Sequence, residues 1–287
     1  MLEFLSQNWF VSTLLTTLFI GLVAFVNKIF AERKYNQYLA VLVLYGILTI
    51  ISGFYILIIG WDVLNFSGIV WSILFGIEMS LYSLVMLQAL KYLPTSTYFV
   101  NVRLLSSFTL LFIGIVFFKD IISISEWIGF VLGVIAIVLL FEKDKKSNKN
   151  YKKGVLLLLV GAGLLIFGHT VVKVLSSQVS IIPTVLFISF FSAFLFSSII
   201  GYKTIARNKK DLPGVIGINL IQAVLFFLYF LLLFRIYNIG DLGISYKIQS
   251  YSPFIPIILS AIVYKEKIST KKKIALILVA ISLWFFK

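Results

Sequence analysis

Two charged side chains lie inside long apolar stretches of this 287-residue sequence and are its first candidates for chemistry. Arg103 offers a planar fork of donors that suits a carboxylate or another anion. Glu78 is a candidate proton carrier or cation site, and Tyr82 follows it one helical turn later. A charge inside a membrane costs roughly 2.5–3.5 kcal/mol on insertion scales, so such residues are functional candidates by default. The alternative for both is a structural ion pair between Arg103 and Glu78.

Other polar residues extend the candidate site. Lys247 lies near the start of a later apolar segment, where it binds an anion or snorkels to the interface. Asn101 occupies the corresponding position in the first half of the chain. His169, the single histidine, is either a proton relay or locally hydrogen-bonded. We predict one substrate-binding set and one coupling set: Arg103, Lys247, Gln249, Gln222, Tyr82 and Asn101 for the substrate, and Glu78 and His169 for a proton or coupling ion.

Composition restricts the class of protein. The chain is 61% hydrophobic and 13% charged, with a mean hydropathy of +1.07. A soluble domain of this length needs more polar surface, so the sequence predicts a polytopic protein of the lipid bilayer. There is no cysteine, which excludes disulfides and thiolate metal sites. No other residues supply a ligand set around His169, so we expect no metal and no cofactor.

Ten segments approach the roughly 20 apolar residues that a membrane crossing needs. They are Trp9–Asn27, Gln37–Ile59, Gly68–Leu90, Thr97–Phe118, Trp127–Phe141, Gly154–Val172, Ile181–Ile200, Leu212–Ile236, Ser245–Tyr264 and Ile274–Phe286. The two prolines of the ninth segment, Pro253 and Pro256, loosen its backbone bonding, as helices that line cavities tolerate. The fifth and tenth segments are the shortest.

A short phrase recurs about 146 residues apart, close to half of the chain length. Lys119–Ser123 (KDIIS) matches Lys265–Ser269 (KEKIS), and each copy ends an apolar segment. Two halves with an odd number of crossings must lie in opposite orientations. We therefore predict an all-α integral membrane protein with ten transmembrane helices, arranged as two inverted five-helix repeats around a central cavity. The first repeat is residues 1–141, a Lys-rich linker is 142–153, and the second repeat is 154–287.

The basic residues predict the orientation. Nineteen of the 25 Lys and Arg residues lie in the loops after the odd-numbered segments, and the net charge is +14. Positive loops face the cytoplasm, so we expect a multi-pass protein of the cell membrane with both termini on the non-cytoplasmic side. The same loops explain the positive charge as contacts with anionic lipid, so we expect no nucleic-acid partner.

The chain resembles the drug/metabolite transporter superfamily, specifically transporters with two EamA-type domains. Residues 89–94 (ALKYLP), Asp120 at the end of the fourth segment, and Gly129 and Gly133 carry the likeness in the first half. Pro253, thirteen residues before an acid, carries it in the second half. The chain departs from the family's usual Gly-Glu signature, which is Lys-Asp and Lys-Glu here, and from its usual cytoplasmic termini. The resemblance implies alternating access without nucleotide hydrolysis, and a cavity lined by helices one, three, four, six, eight and nine.

These observations predict a secondary active transporter of a small organic metabolite, rather than an enzyme. Arg103 and Lys247 favour a solute that carries a carboxylate, such as an amino acid. A multidrug or organic-cation exporter anchored by Glu78 is the alternative within transport. A non-transporting membrane scaffold, which should lack a polar cavity, is the alternative of another class. A membrane-embedded enzyme needs a carboxylate cluster or a His-rich motif, and the sequence has only isolated acids. We expect a monomer or a homodimer.

Overall fold

The computed structural model describes residues 8–33, 35–93, 95–139, 151–177, 181–263 and 269–286. Most of the predicted linker and the first four residues of the KEKIS phrase lie outside these ranges. The α-helices of the described residues are α1 (Trp9–Glu32), α2 (Gln37–Ile59), α3 (Phe66–Ala89), α4 (Thr95–Ile113), α5 (Ile124–Leu139), α6 (Tyr151–Leu175), α7 (Ile182–Arg207), α8 (Leu212–Ile239), α9 (Leu242–Gln249), α10 (Phe254–Val263) and α11 (Thr270–Phe285). A π-turn (Gly114–Phe118) continues α4, and a 3₁₀ turn (Lys209–Asp211) precedes α8.

Seven of the described helices, α1 to α4 and α6 to α8, are long and apolar enough to cross a membrane. Helix α5 is apolar but has 16 residues, and α11 has 16 residues with three lysines near its start. The prediction of an all-helical, multi-pass membrane protein is therefore confirmed. The ten-crossing, inverted-repeat arrangement remains a prediction.

The ninth apolar segment differs from the single helix that the sequence predicts. It consists of α9 and α10, separated by a turn at residues 250–253. Pro253 has no N–H, and it disfavours helical geometry at Ser252. The backbone bonds across the turn become short-range, since Ser252 N donates to Gln249 O at 3.0 Å and Phe254 N donates to Tyr251 O at 3.0 Å. Pro253 therefore separates α9 from α10, whereas Pro256 lies within the first turn of α10.

The serine of the repeated phrase caps the helix that follows it in both halves. The Ser123 hydroxyl accepts from the Glu126 N–H at 3.2 Å, and the Glu126 carboxylate accepts from the Ser123 N–H at 2.7 Å. This reciprocal capping box starts α5. The Ser269 hydroxyl accepts from the Lys272 N–H at 3.4 Å and starts α11. The phrase thus marks helix starts on both sides of the molecule.

Helix packing places the core between the two halves of the chain. Helix α3 packs against α6 and α7, and α8 packs against α1 and α2. Helix α2 also packs on α7, α5 on α11, and α4 on α6 and α9, while α1 contacts α9 and α10. Phe75, Phe190 and Phe230 meet edge to face in the core, with ring centroids 5.7 Å apart for each pair with Phe230. Nearly every strong interhelical contact therefore joins helices from different halves.

The connections define two faces of the helix bundle. On one face, called the basic face here, lie the ends of α1, α3, α5, α7 and α10 and the starts of the helices that follow them. The sequence near these helix ends holds most of the Lys and Arg residues. The opposite face carries the α2–α3, α4–α5, α6–α7 and α8–α9 connections. Trp9, Trp61, Trp127 and Trp284 lie at the ends of helices on the opposite face. Tryptophan is typical of membrane–water interfaces, so these positions mark a membrane boundary.

Candidate functional site

A cavity of about 830 Å³ lies between the two halves of the bundle. Its lining begins at the basic face, where Tyr35, Asn36, Lys91 and Lys272 contribute to it. Helices α1, α2, α3, α4, α6 and α8 form its walls, together with the α9–α10 turn. The sequence analysis did not include α2 among the helices that line the cavity, but Tyr45 and other residues of α2 lie in its wall. The cavity is large enough for a small organic molecule.

Arg103 lies in the cavity wall on α4 and is 7% exposed. Its Nη1 donates to the Tyr246 hydroxyl at 3.3 Å, and its guanidinium carbon lies 5.7 Å from the centre of the Tyr246 ring. Among the described residues no carboxylate lies within ion-pair distance of Arg103. The structure therefore does not contain the Arg103–Glu78 pair, and most of the guanidinium's donors have no acidic partner. A buried cation of this kind favours an anionic ligand.

Glu78 lines the same cavity from α3 and is 5% exposed. Its carboxyl group packs against the backbone of α6 at Gly168, where an added Cβ would lie 2.5 Å from Oε2 and 2.8 Å from Cδ. The glycine thus leaves room for the carboxyl group. Within the described residues Glu78 makes no ion pair, so its charge has to be compensated by a proton or by a cation in the cavity.

His169 reaches the cavity from α6 and joins a row of rings toward the opposite face. Its Nδ1 is 2.5 Å from the Tyr237 hydroxyl, and its ring meets the Tyr246 ring edge to face at 4.6 Å. Tyr246 in turn contacts Arg103. The floor of the cavity is therefore a connected set of aromatic and hydrogen-bonding side chains from α4, α6, α8 and α9.

The α8 side of the cavity supplies amide and aromatic groups. Gln222 donates to the Asn27 side-chain oxygen of α1 at 3.0 Å. Tyr229 donates to the Gln249 side-chain oxygen at 3.2 Å and stands beside Phe226 and Phe230. The wall on this side is aromatic, with a few polar groups that can orient a ligand.

The structure brings five of the eight predicted residues to the cavity: Arg103, Tyr82, Gln222, Glu78 and His169. Three lie elsewhere. Lys247 is fully buried between aromatic rings, 4.9 Å from the centre of Phe130 and 5.6 Å from that of Tyr251. Asn101 donates within its own helix to Thr97 O at 2.7 Å. Gln249 is fully buried behind Tyr229.

Tyr246 is the functional candidate that the sequence analysis missed. It contacts both Arg103 and His169 and is fully buried. A tyrosine in an apolar stretch gives no signal of its own, since most such rings pack in the core or face lipid. Tyr246 is the residue before Lys247, but the sequence does not show which of the two side chains points toward Arg103.

Comparison with known proteins finds a family that the second half of the chain resembles. Residues 152–286 match the model of the EamA-like transporter family. The second half of the chain is therefore similar to EamA-like transporters. This match confirms the resemblance to EamA-type drug/metabolite transporters, and it covers α6 to α11. This EamA-like region contributes His169, Gln222 and Tyr229 to the cavity wall, and it also holds Tyr246, which contacts Arg103 from behind the wall.

A solved structure has a fold similar to that of this chain. This structure, described only as "Crystal structure of protein", superposes with a TM-score of 0.73, covering 97% of this chain and 96% of that one at 13% identity. At that identity the likeness concerns the fold alone. No curated protein sequence matched the chain significantly. The membrane-length helices of the described residues make this a multi-pass membrane protein, and residues 152–286 are similar to the EamA-like transporter family.

Proposed function

We propose that this protein moves a small carboxylate-bearing metabolite, such as an amino acid, across the cell membrane. The observation that supports this most strongly is the buried guanidinium of Arg103 in the cavity wall, with no acidic partner among the described residues. Guanidinium binds a carboxylate through two parallel hydrogen bonds, which provide both affinity and orientation.

Glu78 extends the argument to zwitterionic solutes. Tyr82 and Tyr229 lie near both Arg103 and Glu78, so the two charges belong to one chamber. A solute with a carboxylate for Arg103 and an ammonium for Glu78 compensates both groups. The aromatic wall formed by Phe226, Tyr229 and Phe230 provides apolar contact for the rest of such a molecule.

Alternating access is supported by a symmetry in the packing. In two five-helix repeats, α1, α2 and α3 correspond to α6, α7 and α8. The contact between α3 and α6 therefore corresponds to the contact between α8 and α1, and the contact between α3 and α7 to that between α8 and α2. The α4–α6 contact likewise becomes the contact of α9 with α1. Two inverted five-helix repeats produce this pattern, and they provide two equivalent closed arrangements, one for each mouth.

The cavity opens at the basic face, which we assign to the cytoplasm by the positive-inside rule. The proposed state is therefore open to the cytoplasm, with both termini on the outer side. This orientation differs from that of similar transporters. It rests on the nineteen basic residues of the cytoplasmic loops.

Thermal-shift measurements on the purified protein test the proposal. Amino acids and organic acids are screened beside their amides or esters, because a ligand that binds the folded state raises its unfolding temperature. We expect carboxylates to stabilise the protein and their neutral analogues to have no effect. Arg103→Gln should abolish the shift, while Arg33→Gln, at an exposed position on the basic face, should retain it. Equal shifts with acids and amides would contradict the proposal.

The second candidate is an exporter of lipophilic cations, which the unpaired Glu78 and the aromatic wall favour. In that case lipophilic cations give the shift, Glu78→Gln removes it, and Arg103→Gln leaves it unchanged. The same screen therefore separates the two functions. A scaffold without transport activity should give no shift with any solute.

A further inference from the structure

The cavity does not reach the opposite face. The residues between the bottom of the cavity and that face pack closely and block it, and they are called the plug here. Val172 is the last cavity residue on α6, and Leu233 is the last on α8. From Leu233 to the end of α8 is about 9 Å at 1.5 Å per residue. The junction between α8 and α9, residues 237–242, lies at this level and is held by side chains from α1, from α6 and from the α4–α5 connection.

Lys173 holds the end of α8. Its Nζ donates to the Tyr237 carbonyl at 2.8 Å and to the Gly240 carbonyl at 2.7 Å. Carbonyls at a helix C-terminus have no partner within the helix and carry the negative end of its dipole, so an ammonium group is well placed there. The residue follows Val172 directly, so the side chain that seals the plug adjoins one that lines the cavity.

Asp120 holds the start of α9 from the first half of the chain. Its Oδ2 accepts from the Leu242 N–H at 2.8 Å, which occupies an otherwise unpaired donor of the helix N-terminus. The π-turn of α4 ends at Lys119 in the left-handed conformation, with φ of 61°, and the Asp120 N–H donates to Gly114 O at 3.0 Å. This local geometry turns the Asp120 carboxylate toward α9.

Trp9 provides the third contact. Its Nε1 donates to the Ser245 hydroxyl at 2.9 Å, one turn into α9. Its indole ring packs directly on Gly240, where an added Cβ would overlap the ring. Helix α1 is therefore fastened to the same junction that α4 and α6 hold.

We propose that Lys173, Asp120 and Trp9 form a clamp on the α8–α9 junction, and that this clamp is the closed gate at the opposite face. The proposal rests on the alternating access proposed above. Release of the clamp opens the cavity to that face. Helix α9 carries Tyr246, which contacts Arg103 at the cavity floor, so movement of the clamp also changes the binding site.

The acidic groups make the clamp sensitive to pH. Asp241 lies between the two clamped residues, outside the membrane-spanning helices. Burial, followed by the nearby carboxylates of Asp120 and Glu126, raises the pKa of Asp241 to about 6, and Lys173 opposes this shift. Ionisation above that pH adds a negative charge beside Asp120, and repulsion then weakens the hold of the first half on the junction.

Cysteine labelling tests the gate without knowledge of the substrate. The natural chain has no cysteine, so Ile20→Cys, a half-buried cavity residue on α1, is the only thiol in the reporter protein. A membrane-impermeant maleimide is applied to intact cells and to inverted vesicles. In the otherwise natural chain we expect labelling from the basic face only. Adding Lys173→Met should raise the labelling rate from the opposite face about tenfold or more, because hydrogen bonds from a charged donor are lost.

Lys210→Met is the control, since Lys210 is an exposed lysine on the basic face, away from the clamp contacts. It should leave the pattern unchanged. If Lys173→Met does not fold, Trp9→Phe removes the indole N–H bond and the part of the ring that packs on Gly240, and it should also increase opposite-face labelling. The proposal is overturned if folded Lys173→Met or Trp9→Phe labels from the opposite face no faster than Lys210→Met. If the labelling changes as expected but no carboxylate binds, only the proposed substrate is overturned. If a carboxylate binds but the labelling does not change, only the clamp is overturned.

Discussion

The Arg103→Gln substitution separates a binding role from a structural one. Among the described residues, Arg103 has one side-chain hydrogen bond, to Tyr246 at 3.3 Å, and a ring contact at 5.7 Å. Among the described residues it has no carboxylate partner. Glutamine keeps much of the length of the side chain and removes its charge.

The expected change in stability is small because two effects oppose each other. Loss of one hydrogen bond and a desolvated cation–π contact costs about 2–3 kcal/mol. Removal of a charge from the interior of a membrane helix gains roughly 2.5–3.5 kcal/mol on insertion scales. The free energy of unfolding should therefore change by no more than about 1 kcal/mol. Affinity for a carboxylate should fall about 10- to 100-fold, since a hydrogen bond to a charged group contributes about 1.5–3 kcal/mol.

Thermal unfolding and equilibrium binding of the purified variant measure both quantities. We expect a folded, monodisperse protein with nearly natural stability and greatly weakened carboxylate binding. Loss of more than about 3 kcal/mol of stability, or failure to fold, would refute this reasoning, because it is the result that breaking a buried ion pair gives.

Four further predictions concern the packing and the charges. Gly76→Ala should destabilise the protein by about 1–3 kcal/mol, because its Cβ would overlap the carbonyl of Ser189 on α7. Gly163→Ala, which meets no atom within 4 Å, should be neutral or stabilising by up to about 1 kcal/mol in thermal unfolding. The raised pKa of Asp241 favours the protonated folded state, so stability should fall as pH rises from about 4 to about 6. The loss should be about 1 kcal/mol, since the group is half-exposed, and Asp241→Asn should flatten the unfolding temperature over this range. Tyr246→Phe, which removes one hydroxyl, should weaken carboxylate binding less than fivefold, measured beside Arg103→Gln.

Clear results would contradict these predictions. Equal unfolding temperatures for the two glycine variants would contradict the close α3–α7 contact. An unchanged pH profile in Asp241→Asn would show that the carboxyl group does not sense its neighbours. Binding by Tyr246→Phe as weak as that of Arg103→Gln would mean that the tyrosine hydroxyl itself holds the ligand.

The sequence is most informative where one physical cost dominates. Helix α2 begins at Gln37 and ends at Ile59, as the apolar run predicts, because no polar backbone can remain unpaired in lipid. Arg103 and Glu78 stand out because a buried charge is expensive, and both line the cavity. Their separation is not predictable from the sequence, because helix rotation depends on packing between distant parts of the chain.

Other features depend on contacts that no local pattern shows. The break at residues 250–253 gives α9 and α10 separate packing, and it directs Lys247 toward Phe130 instead of the cavity. In the sequence Asp120 is part of a repeated phrase, whereas in the structure it also binds the start of α9. Lys173 is one of the few cations of the opposite face, and the sequence gives no sign of the carbonyls that it meets.

An experimental structure of the protein with a stabilising carboxylate ligand is the most direct test of the account. We predict ligand density in the cavity between α3, α4, α6 and α8, with its carboxylate within hydrogen-bond distance of the Arg103 guanidinium. A ligand bound beside Lys247, or outside the cavity with Arg103 unoccupied, would contradict the proposed site.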